Sequence, residues 1–214
     1  MRQGIFPFPS DKPATGVRQV NVQHSCAKST WYTPDQYIAA ARQVFGGKID
    51  LDPASDAHGN ATVGARRYIT ATQDGTLADW GPQGHALSVW MNPPGRVARK
   101  KDEAFADEHR PLPELFWLRL MGEVQAGRVS HAIVAAFSLE QLQQSQSWHR
   151  KAMLDFPVCY PAQRVRWQPG QAAEKTSPTH AAAFVYVPGT VDRTDEFRRV
   201  FGYFGRVVVP APTW

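Results

Sequence analysis

Leu87-Ser88-Val89-Trp90-Met91 is an apolar run of strand length that ends abruptly at Asn92-Pro93-Pro94-Gly95. Two successive prolines donate nothing to a β-ladder, so the chain must leave the sheet at that point. His131 to Phe137 is a second apolar run of strand length. Segments with helical spacing surround these runs. Thr33-Pro34-Asp35-Gln36 predicts a helix start, with Thr33 as the cap, Pro34 at the first helical position and Gln36 completing a capping box. Tyr37, Ile38, Ala41, Val44 and Phe45 follow at helical spacing, and Gly46-Gly47 ends the helix. Lys48-Ile49-Asp50-Leu51 reads as a short buried strand stopped by Asp52-Pro53. A short helix is expected near 60–66, a longer one from Pro113 to Gly127, and another from the capping box Ser138/Gln141 to about Lys151. Asp192 to Phe201 reads as helical, and further strands are expected near 156–159, 164–167, 181–187 and 206–209. Strands alternating with helices predict an α/β fold with a mostly parallel sheet; the closely spaced C-terminal strands predict an antiparallel hairpin edge.

Residues 1–30 mix Pro, Gly, Ser, Gln and Lys without a period and read as an irregular N-terminal arm. Residues 31–214 show no internal repeat or linker and read as a single domain. Cys26 and Cys159 are far apart and the seven histidines are scattered, which argues against a disulfide framework and a zinc site. There is no apolar run long enough to span a membrane and no signal-peptide pattern, so the expected compartment is the cytoplasm. The net charge of +5 favours a polyanionic partner, with nucleic acid the obvious one.

Ligands of open α/β sheets bind beyond the carboxyl ends of the strands, where Asn92-Pro93-Pro94 lies. The prolines stiffen the turn, so that the Asn92 amide oxygen and the Pro93 carbonyl can point at one spot. Two fixed acceptors suit an NH₂ group that must keep its lone pair free. Accepting its two hydrogen bonds makes that nitrogen electron-rich enough to attack the methyl of a sulfonium donor, with the rate enhancement coming from positioning and preorganised dipoles.

Four pieces occur in order: Trp31-Tyr32-Thr33-Pro34, Asp50-Leu51-Asp52-Pro53-Ala54-Ser55, Asp74-Gly75-x-Leu77-x-x-Trp80 and Trp90-x-Asn92-Pro93-Pro94. This ordered set resembles the phage-type DNA N-6-adenine methyltransferase (Dam-like) family, with weaker similarity to about residue 187. The resemblance implies a Rossmann-like class I methyltransferase fold, S-adenosylmethionine as cofactor, DNA as partner, base flipping, and a phage or prophage origin. It also implies roles. Tyr32, Thr33 and Pro34 would lie against the methionine end of the cofactor. Asp50, Asp52 and Ala54 would face its amino group or ribose hydroxyls. Asp74 would reach its adenine or the surroundings of that ring, and Asn92, Pro93 and Pro94 would hold the target amino group. No metal is implied.

The family's motif usually ends in an aromatic residue that stacks on the flipped base, whereas this chain has Gly95. Phe137, at the end of the next strand, is the candidate replacement, with Trp117 and Trp148 behind it. Arg96, Arg99, Lys100 and Lys101 follow the loop where a phosphate backbone would pass. Arg164 and Arg166 alternate on one face, either toward nucleic acid or as charges guarding an edge strand. His180 reads as a loop histidine, and Trp31, Trp80 and Trp90 as core residues. Two other functions share these residues: methylation of an RNA base or protein amide, and a catalytically inactive DNA-binding module of a mobile element. The oligomeric state and recognition sequence are not legible in the sequence.

Overall fold

The computed structural model describes residues 31–82, 84–95, 110–169 and 180–211. In chain order the elements are β1 (Trp31–Tyr32), α1 (Asp35–Val44), β2 (Leu51–Asp52), α2 (Ala57–Val63), β3 (Arg67–Tyr68), β4 (Leu87–Met91), α3 (Leu112–Gln125), β5 (Val129–Ala136), α4 (Leu139–Trp148), β6 (Val158–Pro161), β7 (Gln168–Pro169), β8 (Ala183–Pro188), α5 (Thr194–Phe201) and β9 (Gly205–Val208). Among the described residues, seven strands form one sheet in the order β3-β2-β4-β5-β8-β6-β9, while β1 and β7 pair as a separate two-stranded ribbon.

The strands β3, β2, β4 and β5 pair in parallel, and β8, β6 and β9 add antiparallel pairs beyond them. Five of the seven strands therefore run the same way. The antiparallel part is not the hairpin edge expected from sequence: β8 inserts between β5 and β6, and β9 takes the outer position. Residues 164–167 do not form a strand of this sheet either. The chain continues past them to β7, which pairs with β1.

The central strands are apolar on both faces because both are covered by helices. Val89, Met91, Ala132, Val134, Val185 and Val187 face the layer of α3 and α4, packing with Phe116, Trp117 and Leu120. Trp90, Ile133, Ala135, Phe184 and Tyr186 face the other way, against α1 and α5, where Ile38, Val44, Phe197 and Phe201 close the second core. The period of two along each strand thus divides the residues between two cores. Trp80 and Trp90 are core residues, as expected. Cys159 is buried, and its thiol is pushed up to about 12 by burial, so it is chemically quiet.

The start of α1 differs from the expectation. Pro34 is the cap residue and no side chain caps the helix, so the Thr33 hydroxyl is left for another role. Ser138 does precede α4 without a side-chain cap, and Gln141 Oε1 accepts from the Phe137 amide at 3.0 Å.

His131, on β5, is buried with its ring stacked on Phe45 at a centroid distance of 4.7 Å. Neither ring nitrogen has a hydrogen-bond partner among the described residues. Burial, reinforced by the charge of Arg193, pulls its pKa down to about 4. The unfolded chain takes up this proton near 6.5 and the native state does not, so stability is lost as pH falls from about 6.5 to 4, by up to about 3 kcal/mol. Urea titrations at pH 7 and pH 4.5 are expected to show this loss, and His131→Phe, which keeps the stack on Phe45, is expected to remove most of it.

Candidate active site

The chain turns from β2 outward to β3 through α2, and from β4 in the opposite direction to β5 through α3. These two connections lie on opposite faces of the sheet, since α2 supplies Val63 to one core and α3 supplies Leu115 and Phe116 to the other. The pair β2/β4 is therefore the point where strand order reverses, the place where open α/β sheets bind ligands beyond the strand ends. Asp52 closes β2, and Asn92 directly follows β4. The register Leu51↔Val89 puts Asp52 level with Trp90, two residues before Asn92.

Asp52 is 2% exposed, and its Oδ1 accepts the Ala54 amide at 3.1 Å. Burial, with a smaller push from Asp56, raises its pKa to about 7 against that hydrogen bond and one from the Ser55 side chain. A carboxyl held in this way is poised for a donor that would stabilise its charge. Asp50 occupies a different environment. Its Oδ2 accepts from the Ser88 hydroxyl at 2.8 Å and the Ser88 amide at 3.0 Å. Lys48 and Arg66 lie 3.9 and 3.6 Å from its other oxygen. Burial opposes ionisation there, but the Ser88 hydrogen bonds and the two cations outweigh it and hold the carboxyl below its ordinary range. Asp50 sits level with Ser88, four residues before Asn92, and braces β2 to β4.

The loop Asp74-Gly75 lies directly over the end of β2. A Cβ at Gly75 would fall within the Pro53 carbonyl oxygen and against Phe116, so only glycine permits this approach. Asp74 adopts a positive φ of 51°, and its Oδ1 accepts from the amide and hydroxyl of Thr76 at 2.9 and 2.6 Å. Its Oδ2 is buried without a hydrogen-bond partner among the described residues, and so is the Oγ1 of Thr33. Both residues are nearly inaccessible, at 3% and 4% exposure. Orphaned buried oxygens of this kind are costly unless something satisfies them.

The ribbon β1/β7 ties these pieces together. The Asn92 Nδ2 donates to the Trp31 carbonyl at 3.2 Å, which turns the Asn92 Oδ1 away from that partner. The Tyr32 hydroxyl donates to Asp56 Oδ2 at 2.8 Å, and its ring meets His58 at 4.7 Å. Asp56 also caps α2 by accepting the Gly59 amide at 2.7 Å. Burial and the Asp56 contact push the Tyr32 hydroxyl up to about 12, so it stays a donor. Pro34 and Ala54 are half-buried alongside, Pro93 is buried, and Pro94 and Gly95 are exposed.

Phe137 stands beside Gly95: a Cβ on Gly95 would lie 3.9 Å from the Phe137 ring. Its companions are not those expected. Trp117 is buried in the α3/α4 core against Phe156, and Trp148 packs on that same core. Phe137 instead meets Trp167 at 5.2 Å and His180 at 6.2 Å. The sequence signal for Trp167 was its place in the alternation of exposed Arg164, buried Val165, exposed Arg166 and buried Trp167. Arg164 and Arg166 thus share an outward face, as expected from period two. Arg96, Arg99, Lys100 and Lys101 lie outside the described residues. No cluster of three or more metal-ligating side chains occurs among the described residues, and no helix there is long and apolar enough to cross a membrane.

No curated protein and no solved structure matches this chain. A family model for DNA N-6-adenine-methyltransferases (Dam) matches residues 21–188, a stretch that contains every motif gathered at the β2/β4 reversal. By that match over most of its length, the chain belongs to the DNA N-6-adenine-methyltransferase (Dam) family.

Proposed function

We propose that this protein transfers a methyl group from S-adenosylmethionine to the exocyclic N6 of adenine in DNA, on a Rossmann-like class I methyltransferase fold. The observation that carries the reading is the strand reversal at β2/β4, which sets Asp52 and Asn92-Pro93-Pro94 at neighbouring strand ends.

The residues present fit the cofactor. Thr33 Oγ1 and Asp74 Oδ2 are buried without partners among the described residues, and Asp52 is a buried carboxyl whose charge burial disfavours. Asp52 would accept from ribose hydroxyls, with Ala54 beside it. Asp74 would accept from the adenine amino group. Tyr32, Thr33 and Pro34 would border the methionine end, near the start of α1, where backbone amides favour a carboxylate. When bound, S-adenosylmethionine supplies an electrophilic methyl on a sulfonium. Asp50 is better explained as a brace through Ser88 than as a ligand contact.

Asn92 and Pro93 would receive the adenine amino group. The Trp31 carbonyl holds the Asn92 amide nitrogen, so the amide oxygen is free to accept one N–H while the Pro93 carbonyl accepts the other. Both bonds raise electron density on N6 and keep its lone pair directed away from the acceptors. Pro94 fixes the turn. Phe137, backed by Trp167, would provide the stacking face that Gly95 lacks. Arg96, Arg99, Lys100, Arg164 and Arg166 would neutralise phosphates. The same reading makes the enzyme phage or prophage encoded and active in the host cytoplasm.

Titration calorimetry with S-adenosylhomocysteine tests the cofactor half. Saturable one-to-one binding, lost in Asp52→Ala, supports it; no binding by folded wild-type protein refutes it. Gly95 offers a second test. A Cβ at Gly95 fits at ordinary contact distance from the Phe137 ring, so the added ring of Gly95→Tyr competes with Phe137 for the flipped base and is expected to lower methylation about tenfold, within the 1–3 kcal/mol typical of base stacking. A rise in activity would mean instead that the native chain lacks a stacking face.

A further inference from the structure

Tyr203 is the most exposed large side chain among the described hydrophobic residues, at 89%. The turn that carries it does not require this. The adjacent Phe204 does the packing, with its ring 4.7 Å from Tyr37 and 5.9 Å from Phe201, while Tyr203 projects from the same turn. The Ala162 amide donates to the Phe204 carbonyl at 2.9 Å, and Pro161 is paired with Gly205. Tyr203 therefore stands where β6 ends and the segment 162–169 begins.

That segment leads back to the active site. It leaves β6 at Pro161, presents Arg164 and Arg166 outward while Val165 and Trp167 turn inward, and ends as β7 against Trp31–Tyr32. Neither arginine has an ion-pair partner among the described residues. Arg206, at the start of β9, is also exposed and unpaired there. β6 runs in the same direction as β4, so its end and the Asn92 loop lie at the same end of the sheet. Four strand spacings separate β4 from β9, roughly 19 Å at the usual inter-strand distance.

We infer that Tyr203, Arg164 and Arg166 form a track for the DNA strand flanking the target base, with Tyr203 packing against the sugar of a nucleotide about five to six positions away. This rests on the DNA reading above and adds the position and polarity of the footprint. A strand advances about 3.4 Å per nucleotide, which sets that count. The arginines neutralise the phosphates in between, and the tyrosine ring packs on a sugar, a contact that does not depend on the base.

The test is fluorescence anisotropy with labelled DNA duplexes containing adenine, shortened stepwise on one side or the other, at two salt concentrations. Tyr203→Ala is expected to weaken binding about tenfold, and Tyr203→Phe to preserve it, with S-adenosylhomocysteine affinity unchanged in both. The double variant Arg164→Ala/Arg166→Ala should reduce the slope of log K against log salt by about two. Trimming one side back so that the fifth and sixth flanking nucleotides are lost should cost the wild type affinity and cost Tyr203→Ala none. Wild-type affinity in Tyr203→Ala, or equal effects of trimming either side, would overturn this inference and leave the DNA reading standing. Failure of the wild type to bind any duplex at low salt, with cofactor binding intact, would overturn both.

Discussion

Asn92→Ala is expected to reduce methyl transfer by at least 10²–10³-fold while leaving S-adenosylhomocysteine binding within a few-fold of wild type. The substitution removes the amide oxygen that would accept from the adenine amino group. It also removes the Nδ2 donor to the Trp31 carbonyl at 3.2 Å, so the ribbon β1/β7 loses one of its ties to the β4 loop. The cofactor side keeps its own supports: the Tyr32–Asp56 hydrogen bond and the packing of Gly75 on Pro53 do not pass through Asn92. The comparison of Asn92→Ala with Asn92→Asp is informative. Aspartate keeps an acceptor oxygen but has no N–H for Trp31, so its carboxylate is no longer held in one orientation. Single-turnover rates are expected to fall for both variants, more for alanine. Wild-type rates in Asn92→Ala would place the chemistry elsewhere.

The second large effect concerns Asp52. Its pKa of about 7 means that the protein carries a protonated Asp52 carboxyl over much of the acidic range. In the unfolded chain this group ionises near its ordinary value, so the native state is penalised as pH rises from about 4 to 7. Hydroxyl donors from a bound nucleoside would stabilise the carboxylate, so binding would favour the ionised form. The affinity for S-adenosylhomocysteine is expected to rise about tenfold per pH unit between pH 5 and 6 and to level off above about 7. Calorimetry in buffers of different ionisation enthalpy should detect the proton released below pH 7. In Asp52→Asn the affinity should be lower and flat with pH. A pH-independent wild-type affinity would mean that the Asp52 carboxyl does not meet the ligand. His131 acts in the opposite sense and on stability alone, so the two groups can be separated by measuring folding and binding across the same range.

Much of this was legible in the sequence. The runs 87–91 and 131–137 could be read as strands because burial on both faces leaves an uninterrupted apolar signal, and a proline pair marks where β4 ends. The loop after β4 could be read as a candidate site for the same reason: a polar side chain and a carbonyl held at the end of a buried strand. What sequence reasoning missed depends on contacts far apart in the chain. The two-residue strands Trp31–Tyr32 and Gln168–Pro169 carry no periodicity, yet their pairing positions Asn92. Asp50 and Asp52 looked equivalent by spacing. The structure separates them because Ser88 and two cations, Lys48 and Arg66, engage Asp50, while Asp52 emerges at the buried strand end with only the neutral donors of Ala54 and Ser55. Thr33 reads as a helix cap, but Pro34 takes that position and leaves the hydroxyl buried and without a partner among the described residues. Trp167 and His180, rather than Trp117 and Trp148, surround Phe137 because α3 packs on the opposite face of the sheet. The antiparallel insertion of β8 was likewise invisible, since neighbours in a sheet need not be neighbours in sequence.

The most direct test of the central claim is to incubate the protein with S-adenosylmethionine carrying an isotopically labelled methyl group in the presence of unmethylated DNA, RNA and a protein extract. Each fraction is then digested and its modified components identified by mass spectrometry. The account predicts label in N6-methyl-2′-deoxyadenosine from the DNA fraction, absent when Asn92→Ala replaces the wild type. Label confined to RNA or protein, or no transfer by a protein that binds the cofactor and DNA, would contradict it.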